Sequence, residues 1–150
     1  MRYLDELERI GMALGGHVRF ELRAPFLDDR RRQRDVVHAR CLAYIGARLR
    51  RAGWTAETEV EIRGSFGSGW IDVLAWHPGS GLMLVIELKT EINDLGRIQR
   101  TLAWYEARSW DAARALGWMP RDLRGVLLVL DTGTVRARLR DNRALLDQAF

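Results

Sequence analysis

Trp70-Ile-Asp-Val-Leu-Ala-Trp-His77 and Leu82-Met-Leu-Val-Ile-Glu-Leu-Lys-Thr90, separated by Pro78-Gly-Ser-Gly81, decide the fold. Both flanking stretches are short and rich in apolar, β-branched and aromatic residues, which predicts two strands joined by a hairpin. The second stretch is apolar on both faces, so we expect it to be a central strand. A symmetric hairpin places residue 77 opposite 82 and, counting outwards, Asp72 opposite Glu87.

The sequence around this hairpin predicts an α/β fold in one domain of 150 residues. Hydrophobic periodicity and breaker residues predict the other elements: a helix over 3–13, an irregular connection over 17–32, a helix from Arg34 to Arg51, a strand from Thr55 to Arg63, a Gly-rich loop over 64–69, a helix capped by Asn93 and ending near Leu116, a strand over 125–130, and a last helix capped by Thr134 that runs through Arg143 and Leu146. We expect residues 33–131 to form the core, preceded by the N-terminal helix and connection at 1–32 and followed by the C-terminal helix at 132–150. This order predicts one mixed sheet with helices on both faces.

Composition narrows the class of protein. The chain has no run of 18 apolar residues, and its first nine positions include the acidic residues Asp5, Glu6 and Glu8, so we expect neither a membrane span nor a signal peptide. A single cysteine, Cys41, excludes an internal disulfide and is consistent with a cytoplasmic protein. The net charge of +4 permits a nucleic-acid partner without requiring one. The chain has 23 arginines and one lysine, Lys89. Either this position requires a compact amine that can lose its proton, or the lysine is present by chance.

The predicted hairpin gathers three charged side chains. Asp72 and Glu87 would oppose each other, and Lys89 shares the face of Glu87 because residues two apart on a strand point the same way. Opposed carboxylates among apolar residues repel and lose hydration, so a divalent cation would stabilise them. Mg²⁺ suits two carboxylates, and the backbone carbonyl of Leu88 is a further candidate ligand. Lys89 could then orient or deprotonate an attacking water, whereas the alternative is a buried structural ion pair without chemistry.

These residues resemble the signature of the PD-(D/E)XK, restriction-endonuclease-like nuclease superfamily. Trp70-Ile-Asp72 followed after a turn by Val85-Ile-Glu87-Leu-Lys89 looks like its acidic residue preceding a Glu-x-Lys on the next strand. The predicted order of elements from Arg34 to about Leu130 is similar to the α-β-β-β-α-β core of that superfamily. A wider stretch resembles nuclease-like domains that follow helix-turn-helix modules in some bacterial regulators. Ile71 stands where the signature has proline, a common variation.

The resemblance implies a Mg²⁺-dependent endodeoxyribonuclease, with Mn²⁺ as an alternative ion. It assigns Asp72 and Glu87 as metal ligands and Lys89 as the catalytic lysine, acting on DNA. A homodimer is expected, because symmetric dimers are the usual way for small domains to cut both strands. The alternative is a nuclease-like module that binds DNA or dimerises in regulation and has lost the chemistry.

Several further residues are candidates for the site. Relatives often add an acidic residue from the first core helix, and Asp35 is the candidate here. Asp35 and His38 share the inward stripe of that helix, although a helix-dipole role for Asp35 and a satisfied core position for His38 are the favoured interpretations. Arg97 and Arg100 are candidate phosphate contacts, with surface solvation as an equal alternative. The six tryptophans, such as Trp70, Trp76 and Trp104, could stack on bases, although core or interface packing explains most tryptophans better.

Overall fold

A computed structural model describes the backbone of residues 25–64 and 67–149, and the side chains within residues 35–64, 67–144 and 146–147. Eight elements follow one another along these residues: α1 (Pro25–Arg51), β1 (Thr55–Gly64), β2 (Gly67–His77), β3 (Leu82–Lys89), α2 (Leu95–Ala115), β4 (Asp122–Val129), α3 (Gly133–Asp141) and α4 (Arg143–Ala149). The predicted α/β class is therefore confirmed. The helix predicted over 3–13 lies outside the described residues.

The four strands form one mixed sheet in the order β1-β2-β3-β4. β1 and β2 pair antiparallel, β2 and β3 pair antiparallel, and β4 joins β3 in parallel through the crossover helix α2. The predicted hairpin register holds for the five pairs between His77–Leu82 and Val73–Ile86. At its turn, Gly81 has φ of +74° and donates its N–H to the carbonyl of His77, a conformation that favours glycine.

Helices cover both faces of the sheet, as the alternation along β3 demonstrates. Met83 and Val85 pack in one apolar cluster with Leu102 of α2. Ile86 and Leu88 pack in a second cluster with residues of α1, including Leu42 and Cys41. Because neighbouring side chains of a strand point to opposite faces, α1 and α2 lie on opposite sides of β3. The predicted central position of β3 is thus confirmed.

A third apolar cluster anchors the carboxyl end of the sheet. Ile92, in the connection before α2, and Leu95, the first residue of α2, pack with Val135 of α3 and against Val129 of β4. Thr132 caps α3 by accepting a hydrogen bond from the N–H of Val135 at 3.2 Å. This cluster fixes the segment that leads from Lys89 into α2.

The first described helix begins nine residues before the predicted start at Arg34, so the prediction of an irregular connection up to residue 32 is wrong from Pro25 onward. Pro25 begins this helix, because proline is well suited to the first helical position, where its missing N–H would have no intrahelical acceptor. Contacts divide the chain into residues 1–33 and 34–150. Every described site residue below belongs to the second unit.

The Gly-rich loop is shorter than predicted, because β1 extends to Gly64 and β2 begins at Gly67. A Cβ on Gly69 would lie 2.6 Å from the ring of Trp104, so glycine here permits an aromatic side chain to pack on the strand. Other boundaries also differ. Asp94 rather than Asn93 caps α2, Thr132 rather than Thr134 caps α3, β4 begins at Asp122, and the predicted last helix is divided at Asn142.

Within the described ranges, no helix combines the length and apolar character needed to cross a membrane.

Candidate active site

Asp72 lies on β2 one residue beyond the last β2–β3 pair, Val73–Ile86. Its Oδ2 accepts a hydrogen bond of 2.7 Å from the backbone N–H of Leu88, and its Oδ1 lies 3.1 Å from Nε2 of His38 on α1. The Asp72 carboxylate thus accepts a hydrogen bond from β3 that a backbone carbonyl of β2 would accept in a regular sheet. Its two oxygens are contacted from β3 and from α1. Its side chain is 15% exposed, so the carboxylate is mostly buried but still has some contact with solvent.

The sheet is irregular at this position in both β1 and β2. Glu59, which the register would place opposite Asp72, is missing from the run of β1–β2 pairs and has φ of +53°. Ile71 and Val73 should share a face, yet they pack in the two different apolar clusters. The alternation of side chains therefore breaks at Asp72, which explains how its carboxylate turns sideways toward Leu88. The predicted pairing of Asp72 with Glu87 is absent from the β2–β3 register, which ends at Val73–Ile86.

Glu87 and Lys89 form an ion pair on β3 through Nζ of the lysine and Oε1 of the glutamate. Glu87 is only 3% exposed, whereas the side chain of Lys89 is 35% exposed. The second carboxylate oxygen, Oε2, is buried and has no hydrogen-bond partner among the described residues. Buried carboxylate oxygens are usually paired, so this atom needs an explanation.

The charged groups act on one another across the two strands. Burial raises the pKa of the Glu87 carboxyl above its ordinary value, and the hydrogen bond from Lys89 opposes that shift. The charge of Asp72 raises the same pKa further, and His38 lowers it. The predicted triad is therefore within electrostatic range, with His38 as a fourth member. The structure joins these residues as two contacting pairs, Asp72 with His38 and Glu87 with Lys89.

Tyr105 of α2 also belongs to this neighbourhood. Burial raises the pKa of its phenol, and the charges of Glu87 and Asp72 raise it further, while a hydrogen bond with the backbone of Trp70 opposes them. In the sequence, the helical spacing of Tyr105 with Ile98 and Leu102 predicts that Tyr105 points inward, but that spacing gives it no role at the site. The signal was present in that spacing, since the stripe faces the sheet that holds both acids.

The remaining predicted residues lie at the periphery. Asp35 is exposed on α1, and His38, one turn later, contacts Asp72. A dipole role for Asp35 does not fit a helix that begins ten residues earlier, because the dipole acts within the first turn. Arg97 and Arg100 are exposed in the first turns of α2. The N–H of Leu88 points toward β2, where it bonds to Asp72. The N–H and C=O of one residue in a strand point the same way, so the Leu88 carbonyl also points toward β2.

The donor chemistry of the site can be compared with the needs of a divalent ion. No group of three or more His, Cys, Asp or Glu side chains arranged to hold a metal occurs in the part of the chain that the structure describes. Mg²⁺ does not require such a group, because it usually binds one or two carboxylates and completes its octahedron with water and substrate oxygens. A cation would also satisfy the buried Oε2 of Glu87. Asp72 and Glu87 therefore fit a hard divalent ion by chemistry and burial.

A cleft of about 530 Å³ opens elsewhere, between α2 and β4, and is lined by residues that include Gln99, Glu106 and Arg124. It contains none of the predicted site residues.

Compared with known proteins, the chain matches no family model, and a search of curated proteins finds no significant match.

Proposed function

We propose that this chain is a metal-dependent nuclease domain that hydrolyses phosphodiester bonds of DNA at Asp72, Glu87 and Lys89. The observation that supports it best is the environment of Glu87. One oxygen pairs with the only lysine of the chain, and the other is buried without a partner among the described residues. A structural ion pair alone would leave that second oxygen at an energetic cost.

Each residue has a role that follows from its surroundings. Asp72 and Glu87 would hold Mg²⁺ or Mn²⁺, with the Leu88 carbonyl as a further oxygen donor. The bound ion supplies Lewis-acid activation of the phosphodiester. The Leu88 N–H fixes the orientation of Asp72, and the partly exposed amine of Lys89 is placed to orient or deprotonate water from the solvent side.

The arrangement of elements agrees with this proposal. The described helices and strands from α1 to β4 follow the order α-β-β-β-α-β in one mixed sheet, which is the order expected of a restriction-endonuclease-like core. Asp72 and the Glu87-x-Lys89 pair lie on adjacent strands of that sheet, at the end where β2 and β3 separate. We propose this core as the fold, and a cytoplasmic location with it.

Plasmid cleavage tests the activity. With Mg²⁺ or Mn²⁺ the purified chain should convert supercoiled plasmid to nicked or linear forms, and Lys89→Ala should lower the rate by about 100-fold or more. Arg114→Ala is the matched control, because it also removes one positive charge. Arg114 lies in the last turn of α2, whereas Lys89 lies before the first turn of that helix. Cleavage that persists in Lys89→Ala would contradict the assignment, as would no cleavage by the unaltered chain with either ion.

A second candidate function keeps the fold and omits the chemistry. It is favoured by the lack of a three-residue metal group among the described residues. In that case the chain would be a DNA-binding or dimerisation module in regulation. Calorimetric titration separates the two functions, because a binding module would bind DNA without measurable affinity for Mg²⁺ or Mn²⁺.

A homodimer is part of the leading proposal, since cutting both strands of a duplex is most simply done by two symmetric copies. Sedimentation at micromolar concentration should then give about twice the mass of one chain. A monomer at every concentration tested would exclude the dimer while leaving single-strand nicking open.

A further inference from the structure

Among the described strands, β4 lies at one edge of the sheet, with β3 as its neighbour. Two backbone hydrogen bonds show which of its residues face β3. The N–H of Asp122 donates to the carbonyl of Gly81 at 3.3 Å, and the N–H of Leu130, just after the strand, donates to the carbonyl of Lys89 at 3.0 Å. The N–H and C=O of one strand residue point the same way, and this direction alternates along the strand. The odd-numbered residues of β4 therefore direct both groups away from β3.

At the start of β4 these outward groups are satisfied by neighbouring side chains. The N–H of Leu123 donates to Oδ1 of Asp122 at 2.8 Å, and the carbonyl of Leu123 accepts a hydrogen bond from Nη1 of Arg124 at 2.9 Å. Asp122 and Arg124 also pair with each other. These two side chains therefore occupy the edge beside Leu123.

Further along β4 the edge is open. None of the described residues supplies a partner for the outward N–H and C=O of Gly125, Leu127 and Val129. Residues 125–130 include no charged side chain and no proline, and all of them are partly exposed. Strand edges of this kind pair readily with another strand, because the backbone groups are a template for further hydrogen bonds.

The opposite edge of the sheet, β1, is protected against such pairing. It carries the exposed acids Glu57, Glu59 and Glu61, and the positive φ of Glu59 interrupts the regular strand. Charges and bulges are the usual means by which edge strands avoid further partners. The contrast between the two edges singles out β4 as the one suited to a partner strand.

The open groups of β4 match a second copy of the same strand. In an antiparallel pair, residues that exchange both N–H···O bonds alternate with residues that exchange none. If Leu127 of one copy lies opposite Leu127 of the other, Gly125 lies opposite Val129 on either side of it. All three residues then fall at hydrogen-bonded positions, so every open N–H and C=O of both strands has a partner. A shift in either direction would leave Gly125 or Val129 without a matching residue.

We infer that two copies of this chain associate through β4, which pairs antiparallel with its counterpart about a two-fold axis at Leu127 and joins the two sheets into one. This inference rests on the homodimer of the proposed function and gives it a surface. The same patch serves both copies, as a two-fold interface requires.

The cleft between α2 and β4 lies beside this interface. Its lining residues come from those two elements and include Leu102 of α2 with Leu123 and Gly125 of β4. In the inferred register the second copy's Val129 lies opposite Gly125 and on the same face of the sheet as α2. Pairing would therefore place an apolar side chain next to the apolar wall of the cleft.

Sedimentation equilibrium of the full chain and of charge variants at Leu127 tests the inference. Because Leu127 lies on the axis, Leu127→Lys places two like charges about 5 Å apart and should raise the dimer dissociation constant by about 10- to 100-fold. Leu127→Glu should do the same. An equimolar mixture of the two variants should recover the dimer, since opposite charges then face each other. Thr55→Lys is the matched control, because it adds the same charge at an exposed position of β1 and should leave the dissociation constant unchanged.

Backbone hydrogen exchange of the unaltered chain gives a second measurement that does not depend on the folding of any variant. The N–H groups of Gly125, Leu127 and Val129 should exchange at least about tenfold more slowly in the dimer than after dilution to the monomer. Equal protection in the monomer would show that this edge is covered within a single chain, and would overturn the inference.

The outcomes separate this inference from the proposed function. A dimer that both Leu127 variants leave intact, or a mixture of the two that fails to restore it, overturns the β4 interface. An unaltered chain that stays monomeric overturns the interface together with the homodimer, while cleavage of single strands would still support the metal-dependent chemistry. A β4-paired dimer that cuts no DNA with Mg²⁺ or Mn²⁺ contradicts the chemistry and supports the interface.

Discussion

At the scale of single residues, Glu87 is where stability and the proposed function conflict. A carboxylate that is 3% exposed loses its hydration, and one lysine contact offsets only part of that loss. The raised pKa of Glu87 expresses the same conflict, because the folded chain favours the neutral acid. The residue therefore destabilises the metal-free protein in its ionised form, which is expected of a group retained for binding a cation.

We expect Glu87→Gln to stabilise the metal-free chain by about 1–2 kcal/mol at pH 7. The folded-state pKa is raised, so the favourable contribution of neutral Glu87 is fully present below its unfolded pKa of about 4.3 and is lost as the pH rises through the folded value. The advantage of the glutamine should therefore disappear near pH 4. Lys89, about one-third exposed, can be hydrated in the variant.

Urea unfolding in the presence of a chelator, at pH 7 and near pH 4, measures this difference. Glu57→Gln is the control, because Glu57 is exposed on β1 and should give little change at either pH. A Glu87→Gln chain that is less stable than the unaltered chain at pH 7 would show that the ion pair with Lys89 outweighs the cost of burial.

The sequence was sufficient to locate the acids and lysine but not their contacts. Strand alternation and a four-residue turn predict the register of β2 and β3, because pairing is constrained by where the apolar side chains must go. His38 was placed inward by its spacing with Leu42 and Ile45, yet nothing in that spacing says which strand it meets. The Leu88 N–H bond to Asp72 depends on an irregular backbone, for which residue types give no signal.

At the scale of elements, the break in β1 and β2 gives the site its shape. Glu59 has φ of +53° in a strand, a conformation that costs a non-glycine residue about 1–2 kcal/mol. It lies beside Asp72 in the sheet, and side chains on either side of it pack in different clusters: Ala56 with α1 and Ile62 with α2. Strain of this kind persists where the surrounding packing fixes the backbone.

The strain predicts opposite effects of glycine at two neighbouring positions of β1. Glu59→Gly should be more stable than Glu59→Ala by about 1 kcal/mol, because glycine adopts positive φ without a steric cost. At Glu57 the order should reverse, with the glycine variant less stable than the alanine variant by about 0.5–1 kcal/mol. Thermal or urea unfolding of the four variants gives both differences, and the same order at both positions would show that Glu59 is not strained.

Element boundaries were predicted correctly where a glycine or proline fits one kind of local structure, and wrongly where it fits two. The end of α1 and the turn at 78–81 were correctly placed; Gly53 with positive φ follows α1, and Gly81 with positive φ directly precedes β3. Pro25 can stop a helix or begin one, and the glycines of 64–69 can form a loop or make room for an aromatic ring. Which of the two structures forms depends on the residues that pack against the position in the folded chain. For Gly69 that residue is Trp104, which is 35 residues away in the sequence.

At the scale of the whole molecule, positive charge is the property most relevant to DNA. The net charge of +4 is spread over many arginines, and several that the structure describes are paired with acids on their own element, as Arg114 is with Asp111 and Arg124 with Asp122. Arg97 and Arg100 are exposed at the start of α2, the helix that follows Lys89 through a short connection. The arrangement favours them as contacts for phosphates next to a scissile bond.

A double variant tests whether this end of α2 faces DNA. If both arginines neutralise phosphates, Arg97→Ala combined with Arg100→Ala should reduce the slope of log affinity against log salt by about 1.8, since each phosphate contact contributes about 0.9. Fluorescence anisotropy with a short duplex across a range of salt concentrations, with Ca²⁺ in place of Mg²⁺ to limit cleavage, measures it. Arg114→Ala combined with Arg121→Ala removes the same charge beyond the other end of α2. Equal slopes for the two double variants would mean that DNA binding depends on net charge alone. A reduced slope in the Arg97/Arg100 variant only would assign the DNA interface to the end of the sheet where β2 and β3 separate.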